Sequence, residues 1–329
     1  MQIYALKRLL KAATKYGVLF CHHNADPDSI FSANVLRKVI CKINPRVKCD
    51  VVAVQGPSSL SKRLMEKVNV KLCSNPRMDD ADFLVLVDTS TTQQLDEWRS
   101  RVEGSGKPIL VVDHHTIHPG MRKIASLMLV DTEVRSTCEI VYELCCRTKV
   151  NISRKDALGL FLGILYETKN LRYASTKTFQ VVAELLKYGV KSEEAFQALV
   201  SPMSRSERIA RIKAASRLKL LNVGNWLLVS TQVGSYEASV ARALLGLGAD
   251  VVVVSGEKKE KVRVSLRSTP QFFEKTGIHL GRDVAISLGE MLSGMGSGHP
   301  TAAGVNGFGK SQKASEEAIG ILREMILKR

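Results

Sequence analysis

Along the first 190 residues, short unbroken apolar runs alternate with stretches of helical spacing. The runs GVLF (17–20), VKCDVVAV (47–54), FLVLVD (83–88), ILVVDHH (109–115) and SLMLVD (126–131) predict five strands. Helices are predicted at 29–42, 59–68, 92–102, 136–147, 154–166 and 176–189, with Gly189 a natural stop. The leading MQIYALKRLLKAATKYG sets Leu6, Leu9, Leu10 and Ala13 on one face. It can be read as a targeting helix, but it lacks an apolar h-region and a small-residue cleavage site, so we read it as the first helix of the domain. This βαβα rhythm predicts a mostly parallel sheet covered on both faces.

The pattern then changes. Residues 191–222, including SRSERIARIKAASRLKLL, are charged and helical and are expected to connect two domains. Beyond them WLLVSTQV, ADVVVVSGE and KVRVSLRS are strand-like, with the helix GSYEASVARALLGLG between the first two. A glycine-rich loop, GMGSGHPTAAG (294–304), and a last helix follow. The expected fold is α/β: a mostly parallel N-terminal domain (1–190), a helical linker (191–222) and a smaller α+β C-terminal domain (223–329), with a cleft between the domains. A chain of 329 residues suits two domains.

Chemistry gathers at the strand ends. CHHNADPD (21–28) delivers His22, Asp26 and Asp28 between an apolar run and the helix opening at Ser29. Asp88 ends the third run, and Asp113, His114 and His115 end the fourth. A lone strand-end aspartate is more often a helix cap. Seven imidazoles and carboxylates converging on one sheet edge instead resemble the ligand edge of an α/β enzyme. Mixed carboxylate and imidazole ligation suits manganese- or magnesium-like ions more than zinc. Two such ions about 3.5–4 Å apart could activate water and clamp an in-line displacement at phosphorus. Asp131 is read as a cap for the helix at Ser136, His23 as structural, and His118 and His279 carry no role.

Composition adds less. Forty-eight Lys and Arg against 32 Asp and Glu give a formal charge of +16, which reads either as solubility or as a polyanionic partner. Seven scattered cysteines without a C-x-x-C pair fit a reducing cytosol. No apolar stretch approaches the ~18 residues of a membrane span. The expected location is cytoplasmic, with no membrane partner.

CHHNADPDSIFSA, VLVDTS and VVDHHT resemble the first three motifs of the DHH phosphoesterases, the superfamily of RecJ-type exonucleases and NrnA-type nanoRNases. DTEVRSTCEIVYELC is similar to the helix that follows there. GILYETKNLRYASTKTF resembles the fourth motif, usually D-T-G-x-F-R-Y, and GSGHPTAAG the glycine-rich motif of the DHH-associated C-terminal domain. The resemblance spans nearly the whole chain and leans prokaryotic. It implies that His22 and Asp26 bind one metal and Asp28 and His114 the other, with Asp88 bridging. It also implies that His115 contacts the scissile phosphate and Asp113 orients its neighbours. Glu167 stands where the family has an aspartate ligand, and Lys169 where it has glycine. By the same resemblance Arg172, the arginine of the fourth motif, and Gly296, Ser297, Gly298 and His299 bind substrate, and Arg267 grips a terminal phosphate.

The expected function is a phosphoesterase using two Mn2+ (Mg2+ as a substitute) on short single-stranded oligonucleotides or nucleotide phosphates. A homodimer is the assembly considered. Rival readings are a non-catalytic nucleic-acid-binding or replisome scaffold of the same fold and, more weakly, a cyclic di-AMP phosphodiesterase. GVNGFGKS (304–311) satisfies the Walker A spelling, but no βαβ sheet is expected around it.

Overall fold

The structure, a computed structural model, describes residues 3–13, 15–200 and 203–328. The chain divides into two compact units, Met1–Ser201 and Pro202–Arg329.

The first unit runs α1 (Ile3–Ala12), β1 (Tyr16–Cys21), α2 (Pro27–Ile43), β2 (Lys48–Ala53), α3 (Ser59–Val68), β3 (Phe83–Val87), α4 (Arg99–Glu103), β4 (Ile109–Asp113), α5 (Pro119–Ile124), β5 (Leu127–Val130), α6 (Thr137–Thr148), α7 (Arg154–Glu167), α8 (Thr176–Leu186) and α9 (Ser192–Leu199). Its five strands are all parallel, in the order β2-β1-β3-β4-β5. Leu19, Val85 and Val112 pack into one core, whereas Val18, Phe20, Leu86 and Val111 pack into another. Both sheet faces are therefore covered, which is why these strands read as unbroken apolar runs. α1 buries Leu6 and Leu10, in keeping with its amphipathic spacing.

The strand order decides where chemistry can sit. It reverses at β1, so the carboxyl ends of β1 and β3 form the switch point, the place where α/β sheets hold ligands. His22 follows β1 directly, and Asp88 follows β3. The single helix expected at 92–102 is instead a 3-10 segment, Thr92–Trp98, and then α4, with a break at Asp96 (φ 43°).

The second unit runs α10 (Arg205–Ser216), β6 (Lys219–Val223), β7 (Trp226–Val233), α11 (Glu237–Leu245), β8 (Val251–Lys258), β9 (Lys261–Ser268), α12 (Pro270–Thr276), a π-helical turn (Leu280–Ala285), α13 (Ile286–Met291), β10 (Met295–His299), β11 (Ala302–Phe308) and α14 (Ser311–Leu327). Its sheet is mixed, in the order β10-β11-β9-β8-β7-β6, with β7 and β8 parallel.

Two expectations need correction. The stretch 191–222 is not a separate connector: α9 buries Ala195 and Ala198 in the first unit's core, and Ala214 of α10 packs with Val240 and Val252 of the second. Within it, residues 219–223 form β6, paired antiparallel with β7 across a turn at Gly224 (φ 57°). Gly-Asn between two apolar stretches is a hairpin signal that outweighs the helical spacing before it. The glycine-rich 294–304 is no loop either: Met295–His299 and Ala302–Phe308 pair as an antiparallel hairpin. Its glycines permit close packing, since a Cβ on Gly296 would fall 1.7 Å from the Ala285 carbonyl oxygen. Among the described residues, no helix is long and apolar enough to cross a membrane.

Candidate metal centre

Asp26 caps α2, accepting a hydrogen bond from Ser29 N at 3.1 Å, with Pro27 at the first helical position. Its other oxygen lies 3.7 Å from His22 Nε2, and Asp88 Oδ2 lies 3.8 Å from the same nitrogen. His22 Nδ1 sits 2.8 Å from the His23 carbonyl, which orients the ring and turns Nε2 to the carboxylates. Burial opposes a charge on His22, but the adjacent Asp26 outweighs it and raises the ring to about 9. Burial likewise opposes the Asp26 charge, and His22 outweighs it, holding that carboxyl below its ordinary value.

Asp88 is almost wholly buried and adopts φ 56°, a left-handed conformation that aspartate tolerates better than most side chains. Its amide donates to Val112 O at 2.9 Å and its Oδ1 accepts from Thr137 Oγ1 at 2.9 Å. Burial, then the charges of Asp26 and Asp113, push its carboxyl up to about 8. Asp88, Asp113, His114 and His115 offer ligand atoms within 4.8 Å of one another, as do His22, Asp26 and Asp88, so Asp88 belongs to both groups.

At the end of β4, Asp113 Oδ1 accepts from His115 N at 2.9 Å and lies 2.8 Å from His115 Nδ1. That contact raises His115 to about 9 against its partial burial. Burial, reinforced by His115, lowers His114 to about 4, so its ring stays neutral. His114 Nε2 is buried without a hydrogen-bond partner, 3.7 Å from Asp88 Oδ1 and 3.9 Å from Asp28 Oδ2.

Asp28 has a different setting. Fully buried, it accepts from Thr137 N at 2.7 Å and Cys138 N at 2.9 Å, one backbone donor on each oxygen. The carboxylate thus anchors the N-terminus of α6, where unpaired N–H groups and the helix dipole favour an anion. α7 crosses close above it: a Cβ on Gly163 would come 3.1 Å from Asp28 Oδ1 and 2.4 Å from Cys138 Sγ. Burial, then the charges of Asp88 and Asp26, raise Asp28 well above its ordinary value. Glu167 ends α7. It joins neither ligand group, but lies within the field of Asp26, His115 and His22.

The substrate-side candidates separate. Arg172 lies exposed in the turn after α7. In the second unit Arg267, Ser297, Gly298 and His299 line a cavity of about 460 Å³, together with Arg263 and Ser265, and Gly296 lies on β10 with Ser297, Gly298 and His299. Arg263 is not among the expected residues, although alternation in KVRVSLRS puts Arg263, Ser265 and Arg267 on one face of β9. Nor is Thr137, whose only local signal is the Ser136 cap beside it. Asp131 does not cap α6. Ser136 does, while Asp131 accepts from Glu133 N and pairs with Lys177. Lys310 of the Walker-like stretch pairs with Glu257 at 2.8 Å, and residues 304–308 belong to β11.

The donor set fits a divalent cation. Three aspartates and three histidines crowd one sheet edge, the charges of Asp26 and Asp113 raise Asp88, and the neutral, unpartnered His114 Nε2 faces Asp88 and the nearby Asp28. Buried charge of one sign is stable only when paired or coordinated.

The N-terminal domain of the DHH family matches residues 18–164. An uncharacterized protein of Methanocaldococcus jannaschii is 30% identical over 98% of this chain and 96% of its own length. NrnA of Bacillus subtilis, a bifunctional oligoribonuclease and PAP phosphatase, is 25% identical over 58% of this chain, and the match spans 59% of that protein. An exopolyphosphatase-related protein from Bacteroides fragilis shares the fold at 18% identity, with a TM-score of 0.63 covering all of this chain and 96% of that one. With the strand-end aspartates and histidines in their order and a relative matched over nearly its whole length alongside, this chain belongs to the DHH family.

Proposed function

We propose that this protein is a manganese-dependent phosphoesterase that cleaves short single-stranded oligonucleotides or nucleotide phosphates, releasing mononucleotides from one end. The observation that carries this reading is the buried His114 Nε2, without a hydrogen-bond partner and facing Asp28 and Asp88. A purely structural histidine would have its nitrogen paired. The similarity to an oligoribonuclease and PAP phosphatase supports the substrate class.

His22, Asp26 and Asp88 would hold one cation, and Asp88 and His114 a second, with Asp28 and Glu167 contributing charge. When bound, these ions supply Lewis acidity and a nucleophilic water at neutral pH. The chain's own groups do the rest. Asp113 fixes His115 through Nδ1, leaving Nε2–H of a half-exposed, positively charged ring free to donate to a phosphoryl oxygen as charge develops. Thr137 keeps Asp88 Oδ1 aligned through its hydroxyl. In the second unit, Arg263, Arg267 and His299 would receive the nucleotide's anionic groups.

End-labelled di- to decanucleotides, incubated with the protein and manganese, test this. The expected result is mononucleotide release, lost at least 1,000-fold in Asp88→Asn. No product from any length would remove the proposal. Among the alternatives, a non-catalytic scaffold needs no such convergence of unpaired ligands.

A further inference from the structure

The second unit holds another cavity, which shares a wall with the one containing Arg267 and His299. It encloses about 520 Å³ and is lined by Ser235, Tyr236, Lys258 and Lys261, with Glu237 and Arg263 common to both cavities. β9 sets the alignment. Val262, Val264 and Leu266 pack in the second unit's core, so Lys261, Arg263 and Arg267 stand on the opposite face, where successive positions are about 7 Å apart. Arg267 pairs with Ala302 of the glycine-rich hairpin, and Lys261 faces Lys258 across the β8–β9 turn. A row of cations thus leads from one cavity into the other. Arg263 is fixed by Asn306, whose Oδ1 accepts from its Nε at 3.1 Å. Two carboxylates also line the new cavity. Glu257 is engaged by Lys310 at 2.8 Å and Ser311 N at 3.1 Å, whereas Glu237, lying over Gly256, can accept from a sugar hydroxyl.

Tyr236 stands in this cavity in a conformation that local rules oppose. It occupies the N-cap position of α11 at φ 71° and makes no capping hydrogen bond, where a short polar side chain in an extended conformation is usual. For a bulky side chain the left-handed region is an outlier. Its hydroxyl reaches Ser206 Oγ at 2.8 Å and Ser204 Oγ at 3.4 Å, yet the residue stays 38% exposed. The ring is held by its tip and still open to solvent. An aromatic ring fixed beside cations is a platform for a base, with the phosphate that follows left to the lysines.

We propose that this cavity is a second nucleotide subsite, in which a base stacks on Tyr236 and the adjoining phosphate meets Lys258 and Lys261. The protein then favours strands of two or more nucleotides over a nucleoside bisphosphate, which occupies the Arg267 cavity alone. This rests on the phosphoesterase reading above and narrows its substrate class. The competing reading is a tyrosine that only ties the start of α10 to that of α11, among solvated lysines.

Three variants of the full-length protein separate these: Tyr236→Ala, Tyr236→Phe and the double variant Lys258→Met/Lys261→Met. Binding of a fluorescent pentaribonucleotide is followed by anisotropy in EDTA, where no turnover occurs, with adenosine 3′,5′-bisphosphate as competitor. Tyr236→Ala should bind the pentanucleotide about 5-fold or more weakly, the loss of one base–aromatic stack, while Tyr236→Phe should stay within about 2-fold of wild type. In the lysine variant the slope of log affinity against log salt should shrink by about 0.7, one phosphate contact on a single strand. The inhibition constant of the bisphosphate should be the same in all three variants as in the wild type. Unchanged pentanucleotide affinity and slope would overturn the inference. So would equal losses in Tyr236→Phe and Tyr236→Ala, equal losses for the two ligands, or a wild type that does not bind the pentanucleotide. If the wild type releases no mononucleotide when manganese is supplied, the phosphoesterase reading falls, while the binding comparisons still judge the subsite.

Discussion

Asp28 offers the sharpest test of how this site is built. It lies among the candidate ligands, yet both oxygens are taken by backbone donors, Thr137 N at 2.7 Å and Cys138 N at 2.9 Å, in a fully buried position. Asp28→Ala removes both acceptors and leaves two N–H groups of α6 dry. Each unsatisfied buried donor costs about 1–3 kcal/mol, which sums to about 2–6 kcal/mol. Relief of repulsion with Asp88 and Asp26 works the other way, so the lower half of that range is expected. For a unit of this size the melting temperature should fall by roughly 4–16 °C. His114→Ala is the control, since its buried Nε2 has no hydrogen bond to lose. The assay is thermal unfolding in EDTA, read on Trp98, which packs against Phe20 with ring centroids 5.4 Å apart, in a Trp226→Phe background. If Asp28→Ala is no more destabilised than His114→Ala, the anchoring role is wrong. Manganese added to the wild type should raise the melting temperature, and in His114→Ala this gain should disappear.

Two further outcomes are expected. Gly296→Ala would drive a methyl into the Ala285 carbonyl, backbone that can only yield by shifting the hairpin. It should cost about 1–3 kcal/mol or more, seen in the Trp226 transition with the Trp98 transition unmoved. Glu167→Gln removes a negative charge from the field of Asp26, His115 and His22, and should weaken manganese binding about 10-fold by titration calorimetry. Equal affinity would mean that this carboxylate has no part in holding the ion.

Much was legible beforehand. Unbroken apolar runs ending in Asp88 and in Asp113, His114 and His115 predict buried parallel strands and a ligand-bearing edge, because a strand covered on both faces has no polar positions until it leaves the sheet. The linear order does not say which strands are neighbours. Only the order β2-β1-β3-β4-β5 sets His22 beside Asp88. Nor does spacing reveal that Asp28 is shared with the amides of α6, more than a hundred residues away. The same limit applies in the second unit. Glycines at 294–304 spell flexibility to a local reading, whereas their role is to let β10 press on the turn ending at Ala285. Local pattern determines element type and which residues leave a strand end, since both follow from covalent geometry and burial. Which carboxylate meets which imidazole, and which is tied to a helix instead, is decided by chain crossings that only the folded structure supplies.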